Sequence, residues 1–236
     1  MAESTQYAEK LEKTEPESQY HLPEHATVMQ LVDALLKAPE ALTKQLRASE
    51  FKHNIPPFLL IIGICYLIYG IIVGSFSGDI QWVAAPLKML FGISLSALLC
   101  YPSLYIFACL SGATITPQQT AFILSSMLAL SAILLIGFAP VAFIFSFSIK
   151  SLTFMGALHL AMWAISMNFS LRFIKRILQE LGAKEGGLMT VWSVILIITI
   201  LQMTTILRPI LGKSDVPLST EKLFFIEHWG KTLGRN

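Results

Sequence analysis

The string His21-Leu22-Pro23-Glu24-His25 has the residue types and order of an H-x-x-E-H zinc-protease motif: two imidazoles to hold a metal and a carboxylate to act beside it. That chemistry needs both histidines on one face of a continuous helix. Pro23 stands where the helix would have to run, so a solvated tail without a metal site is the expectation. His159 is the other candidate, the one ionisable side chain well inside the predicted spans, where such residues mark functional sites by default. Proton relays and ion-coupled transport use chains or pairs of such groups, and no Asp, Glu, Lys or Arg falls inside the charge-free stretches that carry the other spans. A neutral histidine bonded to a neighbouring helix is therefore the reading. Cys65, Cys100 and Cys109 all lie in apolar runs without C-x-x-C spacing and read as buried small hydrophobes. There is no Gly-x-Ser-x-Gly, no phosphate-cradling glycine loop and no carboxylate pair in a span. No catalytic residue, cofactor or metal is expected, and an intramembrane enzyme is the least favoured class.

The elements that must position these residues are set by the hydrocarbon of a bilayer. Of 236 residues, 54% are hydrophobic and 14% charged, and the mean hydropathy is +0.64. Between Asn54 and Leu207 the charges are only Asp79, Lys88, Lys150, Arg172, Lys175, Arg176, Glu180, Lys184 and Glu185. The net charge of +2, with no dense Lys and Arg run among aromatics, sets nucleic-acid binding aside. A helix needs about 20 residues to cross a bilayer. The charge-free stretches 54–78, 89–149, 151–171 and 186–207 hold five spans, because the second is long enough for two. Its one polar cluster, Ser111 to Thr114 through Pro117-Gln118-Gln119, supplies the turn. The predicted spans are 56–77, 86–110, 118–147, 151–174 and 188–208. The fourth is expected to continue as a helix past the membrane until Gly182 ends it. No internal repeat is visible, which argues against an inverted-repeat transporter.

Outside the spans, residues 1–26 carry six Glu and two Lys with Pro16 and Pro23, the composition of an acidic disordered tail. They contain no apolar signal-peptide core, and neither end of the sequence fits a lipidation signal, so the first span is expected to target the chain. Residues 27–52 predict an amphipathic cytoplasmic helical segment. Val28, Leu31, Val32, Leu35, Leu36, Leu42 and Leu46 follow three-and-four spacing as one apolar stripe. Asp33, Lys37, Glu40, Lys44 and Arg47 lie opposite. Thr27 and Gln30 have capping-box spacing, and Pro39 kinks or divides the segment. The five-span domain covers 53–210, and 211–236 reads as an interfacial tail, with Arg208 and Trp229 as anchors at the lipid headgroups. Lys37, Lys44, Arg47, Lys52, Arg172, Lys175, Arg176 and Lys184 fall on one side, against Lys88 and Lys150 in the opposite loops and the C-terminal group beginning at Arg208, which predicts a cytoplasmic N-terminus and an external C-terminus.

Gly70, Gly74 and Gly78 stand four apart on the first span, with Gly92 and Ser96 similarly spaced on the second. Small residues let helix backbones approach closely in lipid, and packing within the chain is preferred over a face for another subunit. An amphipathic segment around Pro39, five spans, and the string from Gly112 to Gln119-Thr120 between spans two and three together resemble the Yip1-like membrane proteins, particularly their bacterial branch. The resemblance covers roughly 28–212 and implies a membrane-scaffold role. The function expected is a non-enzymatic integral membrane scaffold or accessory subunit in a bacterial inner-membrane assembly. Its partners would be lipids and partner membrane proteins or further copies of itself. A channel or transporter for a small or lipophilic solute is the alternative.

Overall fold

The computed structural model describes residues 22–77, 81–149, 151–184 and 186–206. Gly78, Arg208, Trp229 and the segments 1–21 and 207–236 lie outside the described residues. Among those described there are seven α-helices and no strand: α1 Val28–Lys37, α2 Pro39–Ala48, α3 Ile55–Ser77, α4 Gln81–Leu110, α5 Pro117–Ser148, α6 Leu152–Glu180 and α7 Gly187–Ile206. A 3-10 turn, Lys52–Asn54, leads into α3. Helices α3 to α7 are each long and apolar enough to cross a bilayer. The chain is thus an all-α polytopic membrane protein with an amphipathic helical hairpin ahead of five spans.

The punctuation follows local chemistry. Thr27 caps α1, its hydroxyl accepting from the Gln30 amide while the Gln30 side chain accepts from the Thr27 amide. Pro39 opens α2 as its first residue, where the missing N–H forfeits no helical bond. Thr116 and Gln119 form a second capping box at the start of α5. The fourth span runs on to Glu180 and stops at Gly182, whose φ of 100° suits glycine. Helix α4 begins at Gln81, five residues ahead of the expected boundary, because Pro86 near its start interrupts only one backbone bond. Lys88 consequently lies within α4 and not in an external loop, half-buried two turns in, from where its long stem can carry the ammonium toward the interface.

A repeat that the sequence does not advertise is present in the fold. Helices α4 and α5 form one hairpin and α6 and α7 another, both entered from the same side, and the second repeats the first seventy residues on. Gly112 and Gly182 are equivalent, at φ 95° and 100°. The two turns bond reciprocally: the Thr114 amide donates to the Leu181 carbonyl at 3.4 Å and the Lys184 amide to the Ser111 carbonyl at 2.8 Å. Buried positions keep the same register, in the pairs Ala85 and Met155, Ser96 and Ser166, Cys100 and Ser170, Leu104 and Ile174, and Phe122 and Trp192. Each hairpin's first helix packs along the other hairpin's second, α4 on α7 and α6 on α5, while α3 lies against α4 and α5. The repeat is parallel, with both hairpins running the same way through the bundle, and so is not of the inverted kind.

The α1–α2 hairpin sits on the end of the bundle where α4 and α6 finish. Leu31, Leu35, Leu42 and Leu46 are buried in the core shared with the spans, and Phe122 meets Phe51 and Phe58 edge-on at 5.6 and 5.4 Å. Gln119 ties both sides together. Its carbonyl oxygen accepts from the Thr116 amide, and its amide nitrogen donates to the Leu46 carbonyl at 3.1 Å. Two expectations change here. Residues 22–26, assigned to the solvated tail, are seated: Leu22 and Ala26 are buried, and Asn54 accepts from the Ala26 amide at 2.9 Å. The single apolar stripe of α1 is two, with Leu31, Ala34 and Leu35 facing inward and Val28, Met29 and Leu36 outward.

Candidate functional site

Two places in the fold concentrate groups that could act. The first is in the membrane core, where α3 places two tyrosines three residues apart against different helices. Tyr66 donates its hydroxyl to Ser131 on α5 at 3.2 Å. Tyr69 reaches His159 on α6, with its hydroxyl 2.9 Å from Nδ1 and 3.7 Å from Met162 Sδ. The rings of Tyr69 and His159 stand edge-to-face at 5.7 Å. His159 is 8% exposed, and its Nε2 has no hydrogen-bond partner among the described residues. Two proton arrangements fit this geometry. With the proton on Nε2, the Tyr69 hydroxyl donates to Nδ1 and an N–H is left unpaired. With the proton on Nδ1, the imidazole donates to the Tyr69 oxygen, the hydroxyl turns to Met162, and an acceptor is left unpaired. Either way one buried polar atom is unsatisfied, a costly state in low dielectric.

The second place is the hairpin-capped end. Arg176 on α6 pairs with Glu40 of α2 at 2.8 Å and with Glu180 at 3.5 Å, and Arg47 donates to the Glu180 carbonyl. Lys37, Pro39, Glu40, Lys44 and Arg176 line a shallow polar cavity of about 150 Å³. Beside it, α1 leaves Val28, Met29 and Leu36 at 42, 71 and 49% exposed. These three belong to a helix that is not one of the five spans. A crossing of the bilayer therefore does not account for their exposure as it does for the outward faces of α3 to α7.

Of the small residues singled out in the sequence, the described ones, Gly70, Gly74, Gly92 and Ser96, are buried in the bundle. Gly70 lies where a Cβ would come within 2.4 Å of the Pro86 Cα, the close approach of α3 and α4. Gly74, Gly92 and Ser96 are buried, and the Ser96 hydroxyl donates back to the Gly92 carbonyl at 2.7 Å. Tyr69 and Tyr66 were not marked as site residues by the sequence, although a polar-tipped ring in a span is a signal that it seeks a partner. Trp192 was missed as well. It is fully buried on α7 and donates its indole N–H to the Cys100 carbonyl of α4 at 3.3 Å. The motif at residue 21 is not helical over its described part, as Pro23 requires, and its Glu24 and His25 meet His53. No protein-family model matches the chain, and no curated protein or solved structure matches it significantly.

Proposed function

We propose that this chain is a non-enzymatic integral membrane scaffold or accessory subunit that binds another membrane protein through its capped end. The observation carrying this reading is the outward edge of α1. Once Leu31, Ala34 and Leu35 are buried, a soluble-side helix has no reason of its own to keep Met29 and Leu36 apolar, unless a partner or the membrane surface covers them. The charges around the cavity, Lys37, Glu40, Lys44 and Arg176, supply a polar rim beside that edge, the anatomy of a protein interface. Lys37, Lys44, Arg47, Lys52, Lys175, Arg176 and Lys184 all belong to this end, which supports a cytoplasmic N-terminus and external C-terminus in a bacterial inner membrane.

Purification in mild detergent tests it. A membrane protein should co-isolate in fixed ratio with the wild type and be lost from Met29→Glu with Leu36→Glu. A monodisperse monomer with no companion would overturn the reading. A second reading, a channel or transporter for a small or lipophilic solute, draws on the unpaired His159 Nε2 and on the parallel repeat. Flux into proteoliposomes that disappears in His159→Leu would promote it above the first.

A further inference from the structure

We propose that Glu24, His25 and His53 form a binding site for a divalent transition-metal ion of the zinc class, on the surface where the chain enters its first span. His53 lies in the 3-10 turn immediately before α3. Its Nδ1 stands 3.1 Å from Glu24 Oε1, and its ring centroid is 4.3 Å from that of His25. One ligand atom from each of the three residues lies within 4.8 Å of the others. Zinc bonds of about 2.1 Å in a tetrahedron place neighbouring ligand atoms about 3.4 Å apart. The Glu24 and His53 pair, at 3.1 Å, is within a few tenths of an ångström of that spacing, and exposed side chains close the remainder by rotation.

The backbone carrying these ligands is held in place. Asn54, fully buried and next to His53, accepts from the Ala26 amide at 2.9 Å and donates to the Pro23 carbonyl at 3.4 Å. Gln45 donates to the same carbonyl at 3.1 Å. The residues flanking Glu24 and His25 are thus fixed to the residue that follows His53, and the three side chains face one another without an ordering cost for the main chain. An exposed Glu24 and His53 ion pair alone would leave His25 without a reason to stand against them.

Donor chemistry selects the ion. Two imidazoles and one carboxylate suit zinc and its neighbours, whereas calcium and magnesium take all-oxygen sites and copper(I) prefers sulfur. Three protein ligands leave a coordination position open. The site is not that of a helical zinc protease. It takes only Glu24 and His25 from the sequence string and completes them with a histidine brought from the other side of the α1–α2 hairpin. Bound metal would close that hairpin into a loop stapled at its base, so occupancy should hold the capped end in place.

The test uses the full chain in detergent, carrying a non-histidine affinity tag and stripped with chelator, titrated with Zn²⁺ alone. One equivalent should bind, and His53→Ala and Glu24→Gln should each weaken it by about tenfold or more. Zn²⁺ should also slow proteolysis of the hairpin in the wild type and not in the variants. His25→Ala, whose side chain is exposed, guards against a folding defect in either of the others. Absence of stoichiometric uptake, or uptake indifferent to all three substitutions, would overturn the proposal and leave an ordinary surface ion pair.

Discussion

Replacing Tyr69 by Phe takes from His159 the contact its Nδ1 makes and leaves both ring nitrogens unpaired in a buried site. The expected loss is about 1–3 kcal/mol in detergent unfolding, the cost of stranding a buried polar group. Adding His159→Leu removes the stranded group itself, so the double variant should lose less than the sum of the two. The coupling should fall in the range of about 0.6–1.7 kcal/mol found for polar pairs between membrane helices. Strict additivity would mean that the two side chains do not interact. At Gly70 the test is steric. Gly70→Ala drives a methyl into the Pro86 backbone and should cost about 1–3 kcal/mol by forcing α3 from α4. Gly63→Ala meets nothing within 4 Å and should be neutral or slightly stabilising, since alanine is the better helix former. His159 could be marked from the sequence because a titratable group in hydrocarbon stands out by type. Its pairing with Tyr69 could not, because that depends on how α3 is rotated against α6, and no residue spacing within either helix encodes it.

The α1–α2 hairpin shows which forces seat an element. Its ion pairs are exposed, with the Arg176 and Glu40 side chains both more than half accessible, and such pairs contribute about 0–1 kcal/mol. Leu42 is fully buried against the bundle, and truncating a core leucine costs about 2–5 kcal/mol. Leu42→Ala should therefore open the hairpin to protease at low enzyme concentration, while Arg176→Ala leaves digestion nearly unchanged. The reverse order would mean that charge holds the cap in place. The existence of each helix and its ends was legible wherever chemistry is local: Thr27 with Gln30, Pro39, Pro117 and Gly182. The division of the apolar stripe on α1 was not, since Leu35 and Leu36 are equally apolar and only the neighbouring helices decide which one is covered.

The parallel repeat belongs to the whole molecule and explains why α7 leaves its sequence neighbour to pack on α4. It stayed hidden because membrane burial accepts Ala, Cys, Ser, Leu, Ile and Met alike. Equivalent positions such as Cys100 and Ser170, or Ala108 and Leu178, share an environment and not an identity. Identities at this offset are few and scattered, such as Ser96 with Ser166, and only at Gly112 and Gly182 does backbone conformation dictate the residue. One end of this bundle is closed by the hairpin, and among the described residues the outward edge of α1 is the most exposed apolar feature outside the spans. A photo-crosslinking residue placed at Met29 or Leu36, in intact membranes of the expressing cell, tests the scaffold reading directly. The same probe at Ile64, exposed in mid-span on α3, reports lipid. Illumination at Met29 and Leu36 should give a protein adduct of discrete mass that the Ile64 probe does not give. Lipid adducts alone at all three positions would contradict it.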